Sequence, residues 1–282
     1  MLRLTVETGQ PVTTDDGRVL GRVVDLSVRL GDAEPVVRRV AVGRRGRIEA
    51  LIPWSALATF EHTAVLLRPD AAPLAVDRPL LLEDDEILLV RDVLDTQIVD
   101  VAGRRVQRVG DVLLTRLPDA TLEAAAVEVG TAPVLRRIGL RTWAESRPEA
   151  AVAWPDLHLT SARGHAIQLE VPAAALHRLD ASGLAHLLAL LSTAHAADVV
   201  GTVTPDRSAA ALEQSHGEVG ARIALALDEP TATRIIEHLP AEHAGHLHRL
   251  RRDRTVRRRF RRLRGWRRFL PTNGRSTRTG DR

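Results

Sequence analysis

Residues 180–250 read DASGLAHLLALL, STAHAADVVGTV, TPDRSAAALEQS, HGEVGARIALAL, DEPTATRIIEHL and PAEHAGHLHRL, so that a unit of 12 residues is written six times. Small residues recur at the fifth and sixth positions of a unit, and apolar residues recur three places further on and at the unit's end. Spacings of three and four residues indicate one apolar stripe along a helix. Each unit is therefore predicted to form a helix of about two turns that is stable only when it stacks on its neighbours.

The junctions between units carry helix start signals. Asp180, Ser192, Thr204 and Asp228 each stand at the first position of a unit, where a side-chain oxygen can accept a hydrogen bond from a free helix N–H group. Pro205 follows Thr204 directly and fits the first helical position, where no N–H donor is needed. These signals place the helix boundaries at the unit boundaries.

The repeat resembles the intracellular N-terminal domain of MgtE-type magnesium transporters. Leu176–Asp180 is similar to that family's entry helix, and Thr193–Val200 is similar to its core unit. The resemblance implies a superhelical array that acts as a magnesium-responsive regulatory module, whose acidic faces meet a CBS pair and bind Mg²⁺. Carboxylates are the ligands that such a hard cation needs. The carboxylates of the units are Asp180, Asp198, Asp206, Glu213, Glu218, Asp228, Glu229, Glu237 and Glu242.

The first part of the chain is predicted to hold two small antiparallel β domains. Residues 17–26 overlay residues 103–112 at an offset of 86, and Ile52–Leu57 matches Val152–Leu157. Runs rich in β-branched residues between glycine-containing turns are typical of strands. The repeated pattern resembles the PRC-barrel, a small β-barrel shared by the photosynthetic reaction-centre H subunit and a ribosome maturation factor.

Two pairs of residues recur in these β domains. Asp25 and Asp111 occupy the same place in the two copies; they are interpreted either as ligand or partner contacts or as carboxylates that bond turn amides, and the second interpretation is favoured. Trp54 and Trp154 close the two copies, and a core position is favoured over a binding platform for both.

Composition and motifs point away from catalysis. The 282 residues contain no cysteine, and no phosphate-binding glycine loop, His-Glu-x-x-His helix or nucleophile elbow occurs. The chain is predicted to be a non-enzyme without a catalytic residue, a metal ligand or a cofactor; Mg²⁺ is the one ion that the MgtE resemblance implies. His243 and His246 share a helical face near His238 and His248, but no third ligand is fixed, so a solvated helix end is favoured over a metal site.

The chain's charge is strongly polarised. From residue 249 to residue 282 there are 15 arginines against two aspartates, a net charge of +13, whereas the other 248 residues have a net charge of −9. A basic amphipathic helix with aromatic residues suits an anionic membrane surface. The alternatives are sequence-independent contact with nucleic acid phosphates and a tail that is solvated or docks on the acidic body. The residues predicted to contact anionic lipid or nucleic acid are Arg251, Arg252, Arg254, Arg257, Arg258, Arg259, Arg261, Arg262, Arg264, Arg267 and Arg268. The candidates for membrane insertion are Phe260, Leu263, Trp266 and Phe269.

The sequence thus predicts an α+β multidomain protein. The predicted regions are a PRC-barrel-like domain at 1–68, a linker at 69–86, a second such domain at 87–158, the helical repeat domain at 159–250 and the arginine-rich tail at 251–282. The predicted role is that of a cytoplasmic regulatory or adaptor protein, linked to metal-ion transport, which docks a membrane transporter or another protein and lies peripherally on the inner face of the cell membrane. The alternative is an RNA- or ribosome-associated factor that uses the barrels and the tail.

Overall fold

The computed structural model describes residues 1–30, 35–70, 81–145, 150–172 and 174–252. It confirms the α+β class, with sheets in the first part of the chain and helices in the second. The first half of the β region contains β1 (Leu2–Arg3), α1 (Leu4–Glu7), β2 (Pro11–Thr13), β3 (Val19–Arg29), β4 (Val37–Arg44), β5 (Arg47–Pro53), a 3-10 turn (Trp54–Ala56), β6 (Leu57–Phe60) and β7 (Val65–Leu67). The second half contains β8 (Glu86–Leu88), α2 (Leu89–Asp92), β9 (Gln97–Asp100), β10 (Arg105–Arg116), β11 (Leu122–Val129), α3 (Ala132–Arg137), α4 (Arg141–Glu145), β12 (Ala150–Ala153), a second 3-10 turn (Trp154–Asp156) and β13 (Leu157–Leu159).

Each half is organised around one long strand. In the first sheet the strand order is β5-β4-β3-β2-β7-β6, and in the second it is β12-β11-β10-β9-β13. The first sheet is mixed rather than antiparallel, because β2 and β7 run parallel. Within the described residues neither sheet closes on itself, so the structure differs here from the two closed antiparallel barrels that the sequence predicts.

The two halves exchange their first segments. β1 pairs with β10 of the second sheet, with Leu2 opposite Leu114, and β8 pairs with β3 of the first sheet, with Ser27 opposite Leu88. A single apolar cluster includes residues of both halves. Leu4 and Leu89, which follow the exchanged strands, belong to this cluster and are fully buried. The first 68 residues therefore do not complete their own sheet.

The helical region continues this cluster. Its helices are α5 (Ala162–Glu170), α6 (Ala175–Arg178), α7 (Ala181–Leu190), α8 (Thr193–Thr202), α9 (Pro205–Gln214), α10 (Gly217–Ala226), α11 (Glu229–Ile236) and α12 (Ala241–Arg252). The apolar residues at the eighth, ninth and twelfth positions of the units are buried; in α8, for example, Ala196, Val199 and Val200 are at most 1% exposed. Helices two places apart along the chain pack on each other, as α7 does on α9 and α8 on α10. The 12-residue period is thus confirmed as the unit of stacking.

The helix starts are also confirmed, although the predicted caps are only partly formed. Asp180 Oδ1 accepts a hydrogen bond from Gly183 N at 2.7 Å, and Ser192 Oγ accepts one from His195 N at 3.2 Å. Thr204 and Asp228 occupy the cap positions without a side-chain cap bond. No helix among the described residues is long and apolar enough to cross a bilayer.

Candidate functional site

The recurring carboxylates Asp25 and Asp111 lie on β3 and β10, the long strands on which the exchanged segments pair. Each such place, where a segment of one half joins the sheet of the other, is called a crossing below. Asp25 accepts hydrogen bonds from the backbone amides of Val90 at 2.7 Å and Arg91 at 3.1 Å, which belong to the first turn of α2. Asp111 accepts a hydrogen bond from the amide of Thr5 in α1 at 3.1 Å, and another from the Thr5 hydroxyl. Each carboxylate therefore holds the first turn of the short helix that the other half contributes.

Burial raises the pKa of both carboxyl groups. The pKa of Asp25 is raised to about 7, although the amides of Val90, Leu26 and Arg91 act in the opposite direction. The pKa of Asp111 is raised for the same reason, against the hydrogen bonds from Thr5. Because the oxygens of both groups are engaged inside the protein, the structural interpretation of this recurring pair is favoured over a ligand contact.

An ion pair accompanies each exchanged segment. Arg3 in β1 donates from Nη2 to Glu128 Oε1 at 3.0 Å, and Glu86 in β8 accepts from Arg39 Nε at 2.9 Å. Burial raises the pKa of Glu128, but Arg3 and Arg136 lower it, and the net shift is downward. The exchange is therefore held by backbone pairing, a capping carboxylate and an ion pair at both crossings.

A cleft of about 960 Å³ lies between the first sheet and the β10–β11 turn. Its wall includes Trp54 and Phe60, whose ring centroids are 5.0 Å apart. Arg116 crosses the cleft, donating from Nη2 to Phe60 O at 2.7 Å. Arg38 and Arg68 also line it. The cleft combines aromatic surface with guanidinium groups, and its volume lies within the range of small-molecule pockets.

In the second half, α6 lies beside the 3-10 turn that is equivalent to the one holding Trp54. There α6 contacts β13, and Arg178 donates from Nη2 to Pro155 O of the second 3-10 turn at 2.5 Å. Trp154 in that turn is 4% exposed, as its predicted core role requires. Trp54 is only half-buried, so the core prediction is confirmed for Trp154 and is incomplete for Trp54. No local motif marks the cleft, because its walls come from β4, β6 and β10.

A buried histidine pair joins the second sheet to the helical array. His158 Nε2 lies 2.9 Å from His165 Nδ1, and the ring of His195 in α8 stacks on that of His165 at 4.1 Å. Burial is the main cause that lowers the pKa of His158 to about 3 and that of His165 to about 4. The pair is therefore neutral at physiological pH. The sequence analysis did not single out these residues, which stand in different elements.

Four further histidines and the carboxylates of the repeats lie on the outside. His238, His243, His246 and His248 are exposed, as are the repeat carboxylates named above. In the part of the chain that the structure describes, no three His, Cys, Asp or Glu side chains come together in a group that could hold a metal ion.

Only two of the predicted arginines lie within the described residues. Arg252 is exposed. Arg251 is 6% exposed and binds the end of α10, donating from Nη1 to Leu227 O at 3.3 Å and to Ala224 O; its Nη2 also donates to Glu229 Oε2 at 2.8 Å. Arg251 is thus an internal helix cap rather than an exposed contact residue, and it is a correction to the predicted set.

The repeat itself carries the signal for Arg251. It occupies the twelfth position of the sixth unit, where Leu191, Val203 and Leu227 are buried in earlier units. The remaining predicted residues lie outside the described residues, namely Arg254, Arg257, Arg258, Arg259, Arg261, Arg262, Arg264, Arg267 and Arg268, together with Phe260, Leu263, Trp266 and Phe269.

Comparisons of the chain with protein-family models, with curated proteins and with solved structures find no match.

Proposed function

We propose that this chain is a non-enzymatic regulatory or adaptor protein of the cytoplasm. Its helical array docks a membrane transporter or another protein partner, and its arginine-rich tail attaches it peripherally to an anionic membrane surface on the inner face of the cell membrane. The observation that carries the proposal is the burial of Arg251 at the point where the helical array meets the basic tail. This side chain is buried against the end of α10 and fixes the start of the basic run to the array.

The finer assignment of the fold belongs to the same proposal. We assign the two β halves to the PRC-barrel type and the array to the type of the MgtE N-terminal domain. The recurrence of Asp25 and Asp111 at equivalent crossings supports the first assignment, and the buried 12-residue stripe supports the second. A link to magnesium or metal-ion transport follows from the second assignment.

The membrane contact is tested with the full chain and vesicles that contain phosphatidylserine. Arginine near an anionic surface contributes about 1 kcal/mol per residue. Replacing Arg257, Arg258 and Arg259 with Gln is therefore expected to weaken vesicle co-sedimentation by about a hundredfold. A matched control removes the same charge from the array.

The control variant replaces Arg178, Arg222 and Arg234, which are exposed, with Gln, and it is expected to sediment with vesicles like the parent chain. Equal binding by the two triple variants would refute tail attachment. Retention of RNA that is lost at high salt, without vesicle binding, would instead select an RNA- or ribosome-associated factor, since phosphate contacts are steeply salt-dependent.

The link to magnesium is tested by thermal unfolding with Mg²⁺, with Ca²⁺ as the control. A ligand that binds only the folded state stabilises it by about 2.7 kcal/mol at a hundredfold excess over its Kd. A selective rise of the melting temperature with Mg²⁺ supports a sensor role. An unchanged melting temperature removes the ion from the proposal and keeps the array as a docking surface.

A further inference from the structure

Three histidines and one aspartate meet where the second sheet contacts the helical array. His158 lies on β13, His165 on α5, and His195 and Asp198 on α8. These four residues are called the histidine joint below. His158 is fully buried and His165 is 3% exposed, and their rings stand edge to face with centroids 5.1 Å apart. The joint is thus a cluster of titratable groups inside an interface rather than on the surface.

The distance between two ring nitrogens limits the buried pair to one shared proton. His158 Nε2 and His165 Nδ1 are 2.9 Å apart, a hydrogen-bond distance that a single proton fills. When His158 donates this proton, His165 carries its own proton on Nε2, which lies 3.7 Å from Asp198 Oδ2. In the opposite tautomer a buried N–H at His158 Nδ1 would have no hydrogen-bond partner, which is costly. His158 is therefore the donor of the pair.

Added protons have no place in the closed joint. With one proton more, both outer nitrogens are protonated, and His158 Nδ1 makes no hydrogen bond. With two more, both nitrogens of the 2.9 Å contact carry a proton, so that the two rings have to separate. Burial is the main cause that lowers the pKa of both rings, and the neighbouring imidazoles act in the same direction.

The charged groups around the joint give little compensation for added protons. Asp198 faces His165, but its side chain is 53% exposed, so that water screens its charge. The other charged or titratable groups on β9, α5, α6 and the second 3-10 turn are either exposed or have other partners; they are Asp100, Asp156, Arg163, Glu170, His177 and Arg178. A second positive charge in the joint is therefore not offset by these groups.

The joint lies beside the hydrogen bonds that hold α5 on β13. Gln168 Oε1 accepts from Leu159 N at 2.7 Å, and Gln168 Nε2 donates to Leu157 O at 3.3 Å. Leu157 and Leu159 flank His158 in the strand, and α5 in turn packs on α8. Separation of the two rings therefore disturbs the contact through which the second sheet holds the first helices of the array.

We propose that the histidine joint is an acid-sensitive switch, in which proton uptake by His158 and His165 opens the contact between β13 and α5 and frees the helical array to move against the second sheet. The switch is independent of the membrane attachment proposed above. Because the pKa of both rings is lowered from the ordinary value of 6.5, the closed joint is fully stable above pH 6.5 and loses stability as the pH falls below it. At pH 5 each histidine that titrates normally in the open joint favours opening by about thirtyfold.

The experiment follows hydrogen exchange of the Leu159 amide in the full chain by NMR, because this N–H donates to Gln168. Its protection factor, taken relative to the intrinsic exchange rate at each pH, is expected to fall at least about thirtyfold between pH 7.5 and pH 5. The amide of Val23 in the first sheet, which donates to Gln10 O at 2.9 Å, reports on unfolding of the whole chain. It is expected to stay better protected than the Leu159 amide at pH 5.

His158→Phe together with His165→Phe removes both titrating rings and keeps rings of similar size. In this variant the protection of the Leu159 amide is expected to change less than about threefold between the two pH values. His243→Gln together with His246→Gln is the matched control. It removes two exposed histidines and is expected to keep the full decrease of the parent chain.

Three results of these exchange measurements overturn the switch. Equal protection of the Leu159 amide at pH 7.5 and pH 5 in the parent chain shows that opening takes up no protons. A decrease in the double Phe variant as large as that of the parent assigns the acid sensitivity to other groups. Equal protection of the Leu159 and Val23 amides at pH 5 shows that the chain opens as a whole rather than at the joint.

The parent chain also allows a test without any substitution. In the ¹⁵N NMR spectrum of the imidazoles at pH 7, His158 Nδ1 is expected to have the chemical shift of a nitrogen without a proton, because the shared proton lies on Nε2. A proton on His158 Nδ1 in the folded chain at pH 7 overturns the proton arrangement on which the switch depends.

Discussion

The substitution Asp25→Asn tests the balance between burial and hydrogen bonding at the crossing of the two halves. Burial raises the pKa of Asp25 from 3.8 to about 7. In the window between these values the folded protein holds a proton that the unfolded chain has lost. The contribution of this carboxyl to stability is therefore greatest below pH 4 and decreases as the pH rises to 7.

The size of the effect follows from the shift. One pKa unit corresponds to about 1.36 kcal/mol, so the stability of the parent should fall by about 3 kcal/mol between pH 5 and pH 8 through Asp25 alone. Asparagine keeps one oxygen for the amides of Leu26 and Val90 but offers a donor to Arg91 N, which costs about 1 kcal/mol. The variant should be about 1 kcal/mol less stable than the parent at pH 5 and about 2 kcal/mol more stable at pH 8.

The assay is urea unfolding followed by far-UV circular dichroism at the two pH values. The stability difference between variant and parent cancels the contribution of the neutral histidine pair, which both chains share. Asp228→Asn serves as the control for the same change at the surface, because Asp228 is exposed and makes no side-chain cap bond. If the Asp25→Asn difference is the same at both pH values, the amide bonds outweigh burial and the reasoning is refuted.

Four further substitutions test the helical array by urea unfolding. Leu188→Ala removes a side chain that is 1% exposed and should lower the free energy of unfolding by about 2–5 kcal/mol; a loss below about 1 kcal/mol would contradict tight stacking. Arg251→Met should cost about 1–3 kcal/mol, because the carbonyls at the end of α10 lose a charged donor, and an unchanged stability would argue against the internal cap. Asp180→Ala should cost about 1 kcal/mol, as expected for an N-cap whose bond is formed, whereas Asp228→Ala should change stability by less than about 0.5 kcal/mol; equal losses would contradict the assigned caps.

The helical array could be predicted from the sequence because the spacing that marks its buried face involves residues close together in the chain. Positions three and four apart face the same way on a helix, so the period alone identifies Leu184, Val199 and Ile223 as buried residues. The same period places Arg251 at an interior position. The prediction missed it because a run of arginines was interpreted by composition, whereas burial of this guanidinium depends on two carbonyl groups of α10.

The exchange between the halves could not be predicted from local patterns. β1 with α1 and β8 with α2 are both a short strand followed by a single helical turn, and nothing in either segment specifies which long strand it joins. Asp25 and Asp111 were recognisable as an equivalent pair, but their partners lie 65 and 106 residues away. The cleft at Trp54 was missed for the same reason, since its walls come from distant strands.

The exchange also imposes an order on folding during synthesis. The partners of α2 have already been made when α2 emerges from the ribosome, so that crossing can close at once. The amide of Thr5, by contrast, finds its acceptor 106 residues later. At synthesis rates of about 5–20 residues per second, the first segment stays unpaired for roughly 5–20 s, with Leu2 and Leu4 available to chaperones.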